Sequence, residues 1–226
     1  MRISVVTFAF NKYDFPKKPY FIDDNVEYIC VTDIPVFFPG WTIKVDDRLT
    51  NKNPIYASYY VRYHAHEYTD ADVILIIDAS MQIIHSIMPL VCQFILSGNL
   101  IGITVGGYQK NQDKIAYWRQ ARNMDNKDDC RLAYTALCDT STIDVLGTTI
   151  SGIKIIRRND KVIQFNEYIW ALCLKYGYNG IPNRLDEVFV DIALNSYYKK
   201  CQYLPYARNY YTGIHLDIVS IIPICQ

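Results

Sequence analysis

Apolar positions along this chain fall into two patterns, short unbroken runs and longer stretches at helical spacing. The clearest run is Val73-Ile74-Leu75-Ile76-Ile77, which ends abruptly in Asp78-Ala79-Ser80. Five consecutive branched apolar residues predict a strand buried on both faces, as in an open α/β sheet. In such sheets ligands lie beyond the carboxyl ends of the strands. Asp78 therefore either meets a ligand or caps a turn, and the small Ala79 and Ser80 leave room for a charged ligand or a metal ion. Similar runs predict strands over 3–10, over 26–31 (ending at Thr32-Asp33), over 100–105 (ended by Gly106-Gly107) and over 150–156 (interrupted by Gly152). Residues 41–45 alternate apolar and polar, the pattern of a half-exposed strand.

The helical pattern begins at Asn53-Pro54, an N-cap followed by proline at the first helical position, and predicts a helix to about residue 68. It is crowded with Tyr56, Tyr59, Tyr60 and Tyr63. A second helix over 86–96, capped by Ser86, carries Ile87, Leu90, Val91, Phe94 and Ile95 on one face. Val162, Phe165, Ile169, Leu172, Cys173 and Tyr176 recur at helical spacing over 161–176, and Val188, Phe189, Ile192 and Ala193 over 184–195. The polar segment 108–144 reads as helix and long loop. Strands alternating with helices, without a linker or internal repeat, predict a mixed α/β sheet in a single domain over 1–226.

Composition narrows the classes. Half of the 226 residues are apolar, enough for a sizeable core, and 23 basic residues balance 23 acidic ones. Zero net charge argues against a nucleic-acid partner, because phosphate backbones demand a basic surface. Seven cysteines, an odd number without a Cys-x-x-Cys, predict reduced, buried thiols of a cytoplasmic protein. The first residues enter a strand pattern without a signal-peptide shape. No apolar run reaches the ~18 residues of a membrane span. The apolar tail over 218–224 reads as a late strand or as a patch for a partner or a membrane surface. No G-x-G-x-x-G follows the first strand, and no P-loop, H-E-x-x-H or G-x-S-x-G occurs.

Four segments, in order, carry a family resemblance. Val5-Val6-Thr7-Phe8-Ala9-Phe10-Asn11-Lys12-Tyr13-Asp14 is similar to an opening YTA-x-x-G-x-YD, with Asn11 and Lys12 where glycines are common. Tyr28-Ile29-Cys30-Val31-Thr32-Asp33 is similar to YICFTD. Asn53-Pro54, Ala57-Ser58, Arg62, His66 and Ile77-Asp78-Ala79-Ser80 follow a third pattern, in which Tyr59, Arg62 and Ala65 replace Arg, Lys and Pro. Ser151-Gly152, Arg157, Trp170, Asp186-Glu187 and Phe189 follow a fourth, with Glu187 for Gln. Together they resemble the TOD/MUCI-type glycosyltransferase-like domains of the GT-A fold and, more distantly, the glycogenin-like transferases. The middle segment 106–146 matches poorly.

The resemblance implies a transferase that moves a sugar from a UDP- or GDP-sugar to a glycan or other hydroxyl acceptor, in surface-polysaccharide synthesis. Residues from 1 to about 105 would form the nucleotide-sugar-binding half and those from about 106 to 226 the acceptor-side half. Donor contacts would come from Thr7, Phe8, Ala9, Tyr13, Asp33, Arg62, His66, Asp78, Ala79 and Ser80. Arg62 and His66, four apart, would share the helix face toward the diphosphate. Such transfer must stabilise a departing diphosphate, through basic side chains or a divalent cation. The metal set would be Asp78, Ser80 and His215, holding Mn²⁺ or Mg²⁺ weakly without donor, since Ser80 stands where a second carboxylate is usual. Asp186 and Glu187 open a helix, where a carboxylate either caps the dipole or serves as a catalytic base. Ser151 and Gly152 would let the acceptor lie against the strand. Two other readings stand beside this one: a non-catalytic nucleotide- or glycan-binding protein on the same scaffold, and an assembly protein using the apolar tail for partner or peripheral membrane contact.

Overall fold

The computed structural model describes residues 1–11, 15–110, 113, 115, 127–142, 146–196 and 202–205. Seven strands, β1 (Ile3–Ala9), β2 (Val26–Thr32), β3 (Thr42–Val45), β4 (Val73–Ile77), β5 (Ile101–Lys110), β6 (Leu146–Arg157) and β7 (Gln202–Pro205), form one sheet in the order β3-β2-β1-β4-β6-β5-β7. Only β6 runs against its neighbours; the β1–β2, β1–β4, β2–β3 and β5–β7 pairs are parallel. The sheet is thus mixed and mostly parallel, flanked by helices. Five helices are described: α1 (Pro54–Tyr63), α2 (Met88–Leu96), α3 (Lys127–Asp139), α4 (Asp160–Lys175) and α5 (Asp186–Ser196).

Both sheet faces are covered, which explains the unbroken apolar runs. On one face Val6, Phe8, Ile29, Ile74, Ile76 and Ile156 pack beneath α1, α3, α4 and α5. On the other, Val5, Cys30, Leu75, Ile77 and Ile155 meet Trp41 and the Leu90, Val91 and Phe94 face of α2. In β4 alone Ile74 and Ile76 point one way and Leu75 and Ile77 the other, all buried. Each such side chain contributes about 1.5–3 kcal/mol on burial.

Local signals set most boundaries. The Asn53 side chain accepts from the Ile55 N–H at 2.9 Å, so α1 starts where the Asn-Pro pair predicts. It ends earlier than expected, at Tyr63, and a separate 3₁₀ turn over Ala65–Glu67 follows. The second helix starts at Met88, two residues late; the Ser86 hydroxyl donates to Asp23 and still accepts from the Met88 N–H at 3.2 Å. The Gly106-Gly107 signal is a strand irregularity instead of an end, and Gly152 interrupts its strand as expected. β5 continues through Gly106-Gly107, where its pairing slips between Val105 and Gln109. β6 continues through Gly152, where its register against β5 steps from Lys154 to Ile150. Glycine accepts such bulges because it lacks a Cβ.

Cys30, Cys130 and Cys173 are buried free thiols, whereas Cys92 and Cys138, also free, are exposed. The expectation of uniformly buried thiols fails at these two helical surface positions. Among the described residues no helix is long and apolar enough to cross a membrane. The tail beyond residue 205 lies outside the described residues.

Candidate functional site

The strand order reverses between β1 and β4: β1 continues to β2 on one side, while β4 arrives on the other after the chain has crossed through α1. Loops leaving two such strands part from each other and open a crevice at their carboxyl ends. Asp78 is the first residue past β4, at that crevice. Its N–H donates to the Gly152 carbonyl at 3.0 Å, and its own carbonyl accepts from the Met81 N–H at 3.0 Å. These bonds turn the chain at the rim and leave the carboxylate 31% exposed.

Beneath the rim lies Arg62, 8% exposed. It stands in the last turn of α1, and helical side chains point back toward the helix N-terminus, so the guanidinium rises toward the crevice. One Nη binds Asp78, and the other binds Asp186 Oδ2 at 2.6 Å. The guanidinium carbon lies 5.6 Å from the Phe8 ring centroid and 5.1 Å from that of Tyr59. Burial opposes the charge on Arg62, but Asp78 and Asp186 outweigh it and its pKa is raised. Asp186, at the start of α5 and 3% exposed, also accepts from the Tyr63 hydroxyl at 2.9 Å and the Tyr59 hydroxyl at 3.3 Å. Burial and then Asp186 push the Tyr63 phenol well above its usual pKa, so it stays a donor.

One layer deeper, Lys154 of β6 is buried, donates to Asn166 Oδ1 at 3.0 Å and sits 4.5 Å from the Tyr63 ring centroid. Burial first, and the nearby Arg62 second, push its pKa down to about 7. A continuous polar column therefore runs from the rim through Asp78, Arg62, Asp186 and Tyr63 toward Lys154 and Asn166.

The residues singled out in the sequence are distributed unevenly around this column. Asp78 is at the rim, with Ser80 exposed two residues on and Ala79 buried between them. Gly152 closes against Asp78: a Cβ there would stand 3.4 Å from Asp78 Oδ2 and 2.4 Å from Met81 Cε. Ser151 precedes it in β6. Glu187 is half-buried beside Asp186. Asp186 itself lies beneath the crevice, held by three donors, which departs from the expectation of a cleft-facing base; the α1 residues packed over it exclude it from solvent. Thr7, Phe8 and Ala9 are buried in β1, and among the described residues the Thr7 hydroxyl has no hydrogen-bond partner. Asp33 is buried and accepts from the Asn11 N–H at 3.3 Å. Tyr13 and His215 lie outside the described residues.

The expectation that Arg62 and His66 share a helix face fails. α1 stops at Tyr63, and the 3₁₀ turn rotates His66 away from the crevice. His66 instead lies 6.1 Å from the His64 ring, among Glu67, Glu167 and Arg158. Burial, then His64, lowers its pKa. Lys154 and Asn166 of the column were not singled out from the sequence, and Tyr63, with Tyr59 beside it, was read there only as a helix residue. A signal existed for Lys154, a charge between Ile153 and Ile155 in a strand that otherwise reads as core.

Among the described residues no three His, Cys, Asp or Glu side chains form a metal cluster. The rim offers oxygen donors, the Asp78 carboxylate and the exposed Ser80 hydroxyl. That set suits a hard cation that takes most of its ligands from phosphate.

No family model matches the chain, and no curated protein sequence matches it. Solved structures do resemble it. The chain is similar to the apo form of mouse xyloside xylosyltransferase 1, with a TM-score of 0.52 and 11% identity, over 90% of this chain and 85% of that one. At that identity the likeness concerns the backbone path alone: the mixed α/β fold of this chain is similar to the fold of that structure.

Proposed function

We propose that this chain is a nucleotide-sugar-dependent glycosyltransferase, with its donor site in the crevice between β1 and β4. The observation that carries the reading is Asp78: a half-exposed carboxylate at the strand-order reversal, oriented by a buried arginine, facing a glycine that keeps the opposite wall open. The fold likeness supports the same class. The donor is a UDP- or GDP-sugar and the acceptor a hydroxyl lying along β6 near Ser151 and Gly152. Asp78 and Ser80 would hold Mn²⁺ or Mg²⁺ together with the donor phosphates, and the cation would offset the charge of the leaving diphosphate. Arg62 and Asp186 act as positioning residues, fixing the Asp78 carboxylate from below. Glu187 is the more accessible of the two helix-opening acids and the candidate acceptor-side base.

The test is thermal melting with a panel of UDP- and GDP-sugars, with and without Mn²⁺. One nucleotide sugar should raise the Tm, and Asp78→Asn should abolish that rise, judged against its own ligand-free Tm, which should fall because Arg62 loses a carboxylate partner. No rise with any donor would overturn the proposal. The burial of Asp186 favours one rival, a non-catalytic nucleotide-binding protein. Donor-dependent stabilisation without sugar transfer or donor hydrolysis would mark that case.

A further inference from the structure

Two loops leave the same sheet edge as the candidate site and expose aromatic side chains on the α2 side of the molecule. The first carries Phe15-Pro16-Lys17-Lys18-Pro19-Tyr20-Phe21-Ile22, and the second, over 34–40, is wholly uncharged. Fixed contacts join them. Phe15 meets Phe38 edge-on at 6.3 Å between centroids, and the Trp41 indole N–H donates to the Lys17 carbonyl at 3.0 Å. Gly40, at φ 82°, is packed so tightly that a Cβ would stand 3.0 Å from Pro19 and 3.4 Å from Ile22. The first loop is also pinned beside the Asp78 turn, by Tyr20 N–H to Ile83 carbonyl and Gln82 Nε2 to Lys18 carbonyl, both 2.8 Å.

These contacts hold apolar side chains out in water. Phe37 is 83% exposed, Tyr20 73% and Phe15 60%, with Phe21, Ile22 and Ile34 also exposed. Single exposed apolar residues are ordinary, but a fixed cluster of this kind marks an interaction surface. Its chemistry selects the partner. The aromatics are held out in water, and the cations among them, Lys17 and Lys18, are both exposed. Of the described acids in the first loop, Asp23 is engaged by the Ser86 hydroxyl, the Ile87 N–H and Tyr28, and Asp24 is the opposing exposed charge. Exposed aromatics flanked by lysines are suited to the interface of an anionic bilayer, where rings sit at headgroup level and lysines meet lipid charge.

We infer that this cluster docks the protein peripherally on an anionic membrane surface. The bilayer would then lie beside the Asp78 crevice. The inference does not depend on the sugar-transfer reading, because the assay uses no nucleotide. The full chain is sedimented with vesicles of phosphatidylcholine alone and of phosphatidylcholine mixed with phosphatidylglycerol. Binding should require phosphatidylglycerol and weaken in high salt. Phe37→Ser should reduce it roughly tenfold, and Lys17→Gln with Lys18→Gln by a similar or larger factor. Phe37 and both lysines are exposed, so the variants should melt with the parent. Absence of binding to the mixed vesicles overturns the inference. So does binding that survives both sets of changes, which would assign it elsewhere on the chain. Self-association in sedimentation velocity that is lost in Phe37→Ser would also overturn it, by making a second copy the occupant.

Discussion

Replacing Lys154 with methionine tests the polar column most directly. The ammonium is buried on β6, with Tyr63 and Arg62 facing it from α1, Asn166 and Cys173 from α4, and Asp186 from α5. Burial and Arg62 lower its pKa from 10.5 to about 7, and Asp186 offsets this only in part. The unfolded chain therefore keeps this proton up to about pH 10.5, whereas the folded chain releases it from about pH 7. Between these values the unfolded state binds more protons, so stability rises with pH. The destabilisation is full below about pH 7 and is relieved as the pH climbs. The slope is at most about 1.4 kcal/mol per pH unit, which gives about 2 kcal/mol between pH 7 and 9. Methionine keeps the length of the side chain and carries no proton. It also strands Asn166 Oδ1, a pH-independent loss of about 1–3 kcal/mol. The absolute difference between the two proteins thus mixes two effects, while its pH dependence isolates one. Urea unfolding of both proteins at a series of values from about pH 6 to about pH 9 reads it. Other groups titrate in both chains, the buried Cys173 and Cys30 thiols among them, and largely cancel in the comparison. Lys154→Met should gain on the parent at low pH and lose that advantage as the pH rises. A difference that stays constant across the range would refute the placement of this lysine.

Two further changes probe the crevice walls. Gly152→Ala places a methyl group 2.4 Å from Met81 Cε, at the flexible end of that side chain, so the fold should lose only about 1 kcal/mol. Donor-induced stabilisation should nevertheless vanish as Met81 is driven over Asp78, and Met81→Ala should restore it; unchanged donor binding in Gly152→Ala would remove Gly152 from the site. Asn11 holds φ 51° after β1, a left-handed conformation that asparagine and glycine tolerate. Both Asn11→Gly and Asn11→Ala lose the Nδ2 bond to the Lys52 carbonyl, but only alanine strains the left-handed backbone, so in urea unfolding Asn11→Ala should lie about 1 kcal/mol below Asn11→Gly, an ordering that equal midpoints would contradict.

That asparagine also shows what a sequence can reveal. It stands where the resembling family often has glycine, and its backbone conformation explains the exchange. The β4 run, its buried faces and the terminal Asp78 were legible because a five-residue apolar stretch is a local signal with one economical solution. Asn53-Pro54 was legible for the same reason. The limits were equally physical. Gly106-Gly107 reads as a strand end, because glycine marks strand ends and bulges alike and only the partner strand tells them apart. The end of α1 was missed because nothing between Tyr63 and Tyr68 breaks a helix by itself; the 3₁₀ turn buries Ala65 instead. The pairing of Arg62 with Asp186 was beyond local reading, since Asp186 is 124 residues away along the chain.

This long-range pair changes what the site asks of its ligand. An arginine facing the crevice alone would attract a diphosphate directly. Here one guanidinium is shared by two carboxylates, so the three groups together carry one negative charge, and the half-exposed member, Asp78, is the one that meets solvent. Such a rim repels a bare diphosphate. At a separation of 4 Å, two like charges near a protein surface oppose each other by about 4 kcal/mol. A divalent cation held by Asp78 and Ser80 would reverse the sign, and cation and phosphates would each improve the site for the other. Arg62 holds the carboxylate oriented, so that a cation would not have to select one rotamer from several. On this electrostatic argument donor and cation bind as a unit, and neither should raise the melting temperature alone as far as the pair does.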